Sequence, residues 1–210
     1  MLSGIRHFLF DLDGTLVDSS PLHEAAFRAV LAPNHAHLLA GFDYRAIAGL
    51  PTQAALAQLG VTQDAIALLT QAKQAHYRGA VQSLKSLPGA AELLAILQKR
   101  GAQIAIVTSA SRASAQAALA ATELAAFAPL LVAAEDVASA KPAPDPYLAA
   151  LKLLDAKPSH SIAIEDALSG VQSARAAGLK VIGMHHKALR GLSDFYFSDF
   201  AAFKQFLATA

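Results

Sequence analysis

The chain has 210 residues, 54% of them hydrophobic and 16% charged, enough for one well-filled core or a core with a smaller insert, and too apolar to stay disordered. Lys and Arg total 17 against 16 Asp and Glu, and a net charge of +1 excludes a nucleic-acid or anionic-membrane surface built on bulk charge. The absence of cysteine excludes disulfides, thiolate catalysis and Cys-ligated zinc.

An acidic ligand would therefore have to be held by a few placed cations. The opening stretch, MLSGIRHFLFDLDG, has too short an apolar run for a signal peptide and carries acids where a cleavage site would lie. No run approaches the roughly 18 apolar residues of a membrane span. A cytoplasmic protein with no obligate protein partner is expected.

In chain order, HFLF (7–10) is a short apolar run that ends in Asp11, Leu12, Asp13 and Gly14. It lacks strict alternation, as strands buried on both faces do. Residues 19–84 then break the rhythm. PLHEAAFRAVL (21–31) and DAIALLTQAKQAHYRGAV (64–81) have helical amphipathic spacing, AIAGLPTQAAL (46–56) reads as a loop between them, and no strand is evident. The segment is expected to be a small helical cap over residues 19–84, inserted after the first strand. Its hinges fall near Asp18–Ser20 and Leu84–Pro88, and residues 1–18 and 85–210 form the core. The competing reading packs these helices directly on the sheet as one domain.

From Pro88 onward apolar runs and helical stretches alternate. PGAAELLAILQKRG opens on proline and closes on glycine. IAIV then leads to Thr108, SRASAQAALAA follows, and LLVAA leads to Glu135. DPYLAALKLLDA follows Lys141, IAI leads to Glu165 and Asp166, ALSGVQSARAAG stops at Gly178, and KVIGM, FYF and FAAFKQFLATA complete the chain. Repeated strand–helix units predict an α/β fold, a Rossmann-like parallel sheet with right-handed crossovers.

Ligands of such sheets bind beyond the carboxyl ends of the strands. Those ends carry Asp11 and Asp13, Thr108 and Ser109, and Glu165 and Asp166, with Lys141 on a nearby loop. Asp11 and Asp13 lie two apart, so both point to one face if the chain stays extended. Several carboxylates share a site only with counter-charge, for which Lys141 and a bound Mg²⁺ are the candidates. An all-oxygen donor set favours a hard cation over zinc.

DLDGTLVDS, IAIVTSAS, KPAPDPY and IAIEDALSGVQSARAAG, in that order, resemble the four motifs of the haloacid dehalogenase-like phosphohydrolases. The likeness is greatest to the subgroup with a small helical cap, which includes sugar-phosphate and phosphoglycolate phosphatases and β-phosphoglucomutase. The resemblance implies a Mg²⁺-dependent phosphatase acting on a small phosphorylated metabolite. Asp11 would take the phosphoryl group. Asp13 would protonate the leaving oxygen and then activate water, for which its crowded acidic surroundings would be useful. Thr108 and the Ser109 backbone N–H, at the start of the following helix, would cradle the phosphoryl oxygens, and Lys141 would neutralise them. Asp11, the Asp13 carbonyl, Glu165 and Asp166 would hold the metal. Ala140 stands where the subgroup usually has glycine, which is tolerable if its φ is negative.

Two other functions compete. A phosphomutase needs cap cations to grip a second phosphate; Pro51 and Thr52 stand where an arginine would be expected, leaving Arg45 and Lys73 to compensate. A signalling phosphoacceptor needs neither Asp13 nor a lid. Arg45, Thr52, Gln53, Lys73, His76 and Arg78 are the candidate substrate contacts on the insert. His35, His37, His185 and His186 lack a third ligand and read as surface or packing residues. His23 falls where the insert begins, could face the substrate, and is read as structural.

Overall fold

The apolar run before Asp11 forms β1 (His7–Phe10), the middle of a parallel sheet. A computed structural model describes residues 2, 4–127 and 129–209. Within them α1 (Ser20–Leu31), α2 (Thr52–Gln58) and α3 (Gln63–Ala80) precede α4 (Ala90–Lys99) and β2 (Gln103–Val107). Then come α5 (Arg112–Ala121), β3 (Leu130–Val132), α6 (Asp145–Leu153), β4 (Ser161–Glu165) and α7 (Leu168–Ala176). The chain ends in β5 (Lys180–Met184), β6 (Phe195–Phe197) and α8 (Phe200–Thr209).

The six strands run in the order β3-β2-β1-β4-β5-β6, all parallel. Phe10 pairs in register with Ile106 of β2 and Ile164 of β4, so three strands end at the same level. The strand order reverses at β1, where the flanking loops part and leave a crevice. Alternate side chains of β1 enter different cores. Phe8 and Phe10 pack with Leu93, Leu94, Phe200 and Phe203 of α4 and α8. Leu9 packs with Tyr147, Ala150, Val171 and Ala174 of α6 and α7. Each large side chain removed from water in this way contributes about 1.5–3 kcal/mol.

Residues 20–80 supply no strand to the sheet. They have an apolar cluster of their own, built on Phe27, Leu31, Ile47, Leu56 and Ile66. The chain enters and leaves this segment through two adjacent antiparallel stretches. Val17 bridges Ser86, Asp18 N–H donates to Lys85 C=O at 3.0 Å, and Leu87 N–H donates to Leu16 C=O at 2.8 Å. The stretch expected to be a loop at 46–56 runs into α2, whose helix starts directly after Pro51. Seven residues with only Ala55 and Leu56 buried are too few to show a helical period. Among the described residues no helix is long and apolar enough to cross a membrane.

Candidate active site

The level strand ends put Asp11 beside β2 and β4; its N–H donates to Ile164 C=O at 2.9 Å. Lys141 reaches in from the loop before α6. Its Nζ donates to Asp11 Oδ1 at 2.7 Å, Glu165 Oε1 at 2.6 Å and Val107 C=O at 2.8 Å. Tyr147 Oη, one turn into α6, donates to the same Glu165 oxygen at 2.5 Å. Lys141, Asp11, Glu165 and Tyr147 are all buried. Burial alone would pull the Lys141 ammonium down, but the Asp11 and Glu165 carboxylates more than offset it and raise its pKa above the ordinary value. Burial raises both carboxylates, against the opposing pull of Lys141. Ala140 has no positive φ, so the condition for alanine there is met.

Asp166 follows Glu165 beyond the strand end. Thr15 Oγ1 donates to its Oδ1 at 3.2 Å. Gly14, at φ +85°, passes so close that a Cβ there would collide with Asp166 Oδ2. This is why glycine breaks the run after Asp13. Gly170 of α7 makes the same room for Glu165, whose carboxylate a Cβ would strike. Asp11, Glu165 and Asp166 each bring one carboxylate oxygen to within 4.8 Å of the others. That donor set fits a hard divalent cation.

Asp13 faces the other way, toward α1. His23 Nε2 lies 3.1 Å from its Oδ1, and Thr108 Oγ1 donates to its Oδ2 at 3.3 Å. Behind His23, Lys73 Nζ of α3 lies 2.6 Å from Nδ1. An ammonium has only donors, so Nδ1 accepts, Nε2 carries the hydrogen, and Asp13 accepts from it. Tyr77 stacks on the imidazole with centroids 4.3 Å apart. Burial and Lys73 lower the His23 pKa, against Asp13. Burial works to raise Asp13, but His23, Ser19 and Lys73 overcome it and bring it to about 2. Burial lowers Lys73 to about 8. The expected acidic crowding around Asp13 is thus corrected: its nearest titratable partners are basic, and it is ionised.

The anticipated residues Asp11, Asp13, Thr108, Ser109, Lys141, Glu165 and Asp166 all line one cavity. Ser109 differs in detail. It lies in the loop before α5, which starts at Arg112 with Ser111 as its N-cap, so it is not at the helix start. Of the candidates on the insert, Thr52 and Lys73 line the cavity. Arg45 points outward in an ion pair with Asp43 at 2.7 Å. His23 and Lys73 acquire a joint position next to Asp13 that spacing does not reveal, because 50 residues separate them. Tyr147, Thr15 and Gly170 were missed; the only local signals were the DPY and DGT motifs and a glycine inside a helix. His185 serves packing, edge-on to Phe200 at 5.2 Å, and its Nε2 lies 3.1 Å from Thr15 C=O.

Known proteins are similar to most of this chain. Protein CbbY of Rhodobacter capsulatus is 33% identical over 210 residues, covering 93% of this chain and 91% of that protein. Hexitol phosphatase A of Escherichia coli strain K12 is 38% identical over 202 residues, covering 87% and 84%. The crystal structure of CbbY from Rhodobacter sphaeroides in complex with phosphate superposes with a TM-score of 0.78 at 27% identity, covering 94% of this chain and 95% of that one. The haloacid dehalogenase-like hydrolase family profile matches residues 8–184, and the chain belongs to that family.

Proposed function

We propose that the protein is a Mg²⁺-dependent phosphatase that hydrolyses a small phosphorylated metabolite, a sugar phosphate or similar phosphomonoester, through an aspartyl-phosphate on Asp11. One observation carries the reading: buried Lys141 is locked between Asp11 and Glu165 at 2.7 and 2.6 Å, and these carboxylates favour its charged form. A carboxylate attacks a phosphate dianion only where fixed positive charge screens the repulsion. The hexitol phosphatase and the phosphate-bound CbbY relatives support the substrate class.

Asp11 supplies the oxygen that bonds to phosphorus as the bond to the leaving oxygen breaks, and Asp13 gives that oxygen its proton. Thr108, whose own oxygen accepts from Ala110 N–H at 3.0 Å, orients Asp13. The partners that bring Asp13 to about 2 favour its ionised form, which corresponds to the state after that proton has left. It is ready to take a proton from water as the water attacks the phosphorus of the aspartyl-phosphate, freeing phosphate and restoring Asp11. Asp11, the Asp13 carbonyl, Asp166 and Glu165 would hold Mg²⁺, which supplies charge neutralisation for the transferring phosphoryl group.

Residues 19–84 act in this reading as a cap over a core of residues 1–18 and 85–210. The separate apolar cluster and the paired crossing stretches support that division. The cap carries His23 and Lys73 to Asp13. A phosphatase screen with Mg²⁺ against a metabolite panel tests the proposal. Phosphate release from sugar monophosphates that vanishes in Asp11→Asn is expected; unchanged turnover in that variant refutes the assignment.

A further inference from the structure

His185 and His186, the adjacent histidines that follow β5, lie outside the four motifs, yet the sheet register brings them to the acidic cluster. Glu165 pairs with Gly183, so the chain leaves β4 at Asp166 and β5 at Met184 side by side. His185 then takes a φ of +63°, a left-handed conformation uncommon outside glycine. His186 N–H donates back to Met184 C=O at 2.6 Å and closes a three-residue turn. Neighbours hold this turn in place. His185 N–H donates to Phe197 C=O of β6 at 3.0 Å, Tyr196 Oη donates to His185 C=O at 3.4 Å, and Phe200 of α8 meets the His185 ring edge-on. A strained turn that its surroundings over-determine points to a use for what it presents.

It presents two imidazoles to the surroundings of Asp166. His185 Nε2 lies 3.1 Å from Thr15 C=O; a carbonyl only accepts, so Nε2 carries the hydrogen and donates. Thr15 is fully buried, and its Oγ1 donates in turn to Asp166 Oδ1 at 3.2 Å. His186 Nε2 lies 3.7 Å from the other carboxylate oxygen, Oδ2, with its side chain 65% exposed. That gap exceeds a hydrogen bond and is too narrow for a bridging water, so a small turn of the exposed ring closes it directly. Gly14 also abuts Oδ2, where a Cβ would collide with it. Both oxygens of Asp166 are thus bounded, one through Thr15 and the other by Gly14 and His186.

Resting on the cation role of Asp166 in the phosphatase reading, we infer that the His185–His186 turn is a clamp that positions Asp166 for the divalent ion. His185 acts through Thr15, and His186 acts on the carboxylate itself. A carboxylate fixed in advance gives up less freedom when the ion binds, and outer partners of this kind are worth about 10–100-fold in metal affinity. Both histidines are positioning residues, not ligands.

The test measures Mn²⁺ binding without substrate, with free Mn²⁺ followed by electron paramagnetic resonance; Mn²⁺ suits the same oxygen donors as Mg²⁺. His186→Ala is expected to weaken the Kd by about tenfold, and His186→Gln, whose amide keeps an N–H donor, to stay within about threefold of wild type. His185→Asn, which tolerates the left-handed backbone but is too short to reach Thr15, is expected to weaken it several-fold. For His186→Ala the metal-free melting temperature should match wild type while the rise produced by Mn²⁺ shrinks, and kcat at saturating Mg²⁺ should fall by less than the affinity does. Wild-type Mn²⁺ affinity in His186→Ala, or in a folded His185→Asn, overturns the clamp, as does an equal loss in His186→Gln. If His185→Asn does not fold, the two His186 variants decide. Failure of the clamp alone leaves the phosphatase reading standing, whereas a wild type that binds no Mn²⁺ removes the cation site and this inference with it.

Discussion

Lys141 and Lys73 are both buried, at 4% and 5% exposure, yet the protein treats them in opposite ways. Lys141 meets two carboxylates and a backbone carbonyl, and these raise its pKa despite burial. Lys73 meets a neutral imidazole and the faces of Phe27 and Tyr77, at 4.8 and 5.6 Å, and burial lowers it to about 8. Burial alone therefore does not decide the charge; the number of anions in reach does. The core lysine is a fixed counter-charge. The lysine of the inserted helices is an adjustable one, and it touches Asp13 only through His23.

Substitutions break this contrast in order of size. Lys141→Met leaves Asp11 and Glu165 buried without their cation. Turnover should fall by a factor on the order of 10³ or more, and denaturant unfolding should show a loss of about 3–5 kcal/mol. Retained activity would remove Lys141 from the reaction.

Lys73→Met should lower kcat by about 10–100-fold and leave denaturant stability less affected than Lys141→Met does. It also sharpens the comparison through pH. Lys73 is protonated below about 8 and makes a charge-assisted bond to His23 Nδ1; above that pH it loses the charge that strengthens that bond and that favours the ionised Asp13. Wild-type kcat should therefore decline as pH rises through about 8, and Lys73→Met should lack that limb. A limb that survives the substitution belongs to another group.

Gly170→Ala acts on the core side without adding or removing a charge. Its methyl would displace the Glu165 carboxylate, at an overpacking cost of about 1–3 kcal/mol and a measurable drop in kcat. Tyr147→Phe should have the smallest effect. It removes one hydrogen bond to Glu165 but leaves Lys141 in place, so thermal unfolding should report a loss of about 1 kcal/mol.

The core half of the site was legible because parallel register does most of the assembly. Once 7–10, 104–107 and 162–164 are strands, Asp11, Thr108 and Glu165 must end side by side. The cap half was not. Lys73, His23 and Asp13 meet through tertiary packing of α3 on α1, which leaves no local spacing to read. That is why Asp13 looked acid-crowded in sequence and proves to be base-paired in space. Tyr147 carries no sequence signal beyond the DPY motif; it is a core aromatic whose hydroxyl also reaches Glu165 from α6. Helix α2 was hidden between Gly49 and Leu59 by its brevity.

The central claim is the covalent one, and rapid quenching during turnover of a radiolabelled phosphomonoester in Mg²⁺ tests it most directly. Proteolysis and mapping should find the label on the peptide carrying Asp11, lost on dilution into unlabelled substrate and absent from Asp11→Asn. Turnover with the label on another residue, or with none on the protein while phosphate is released, would contradict the account.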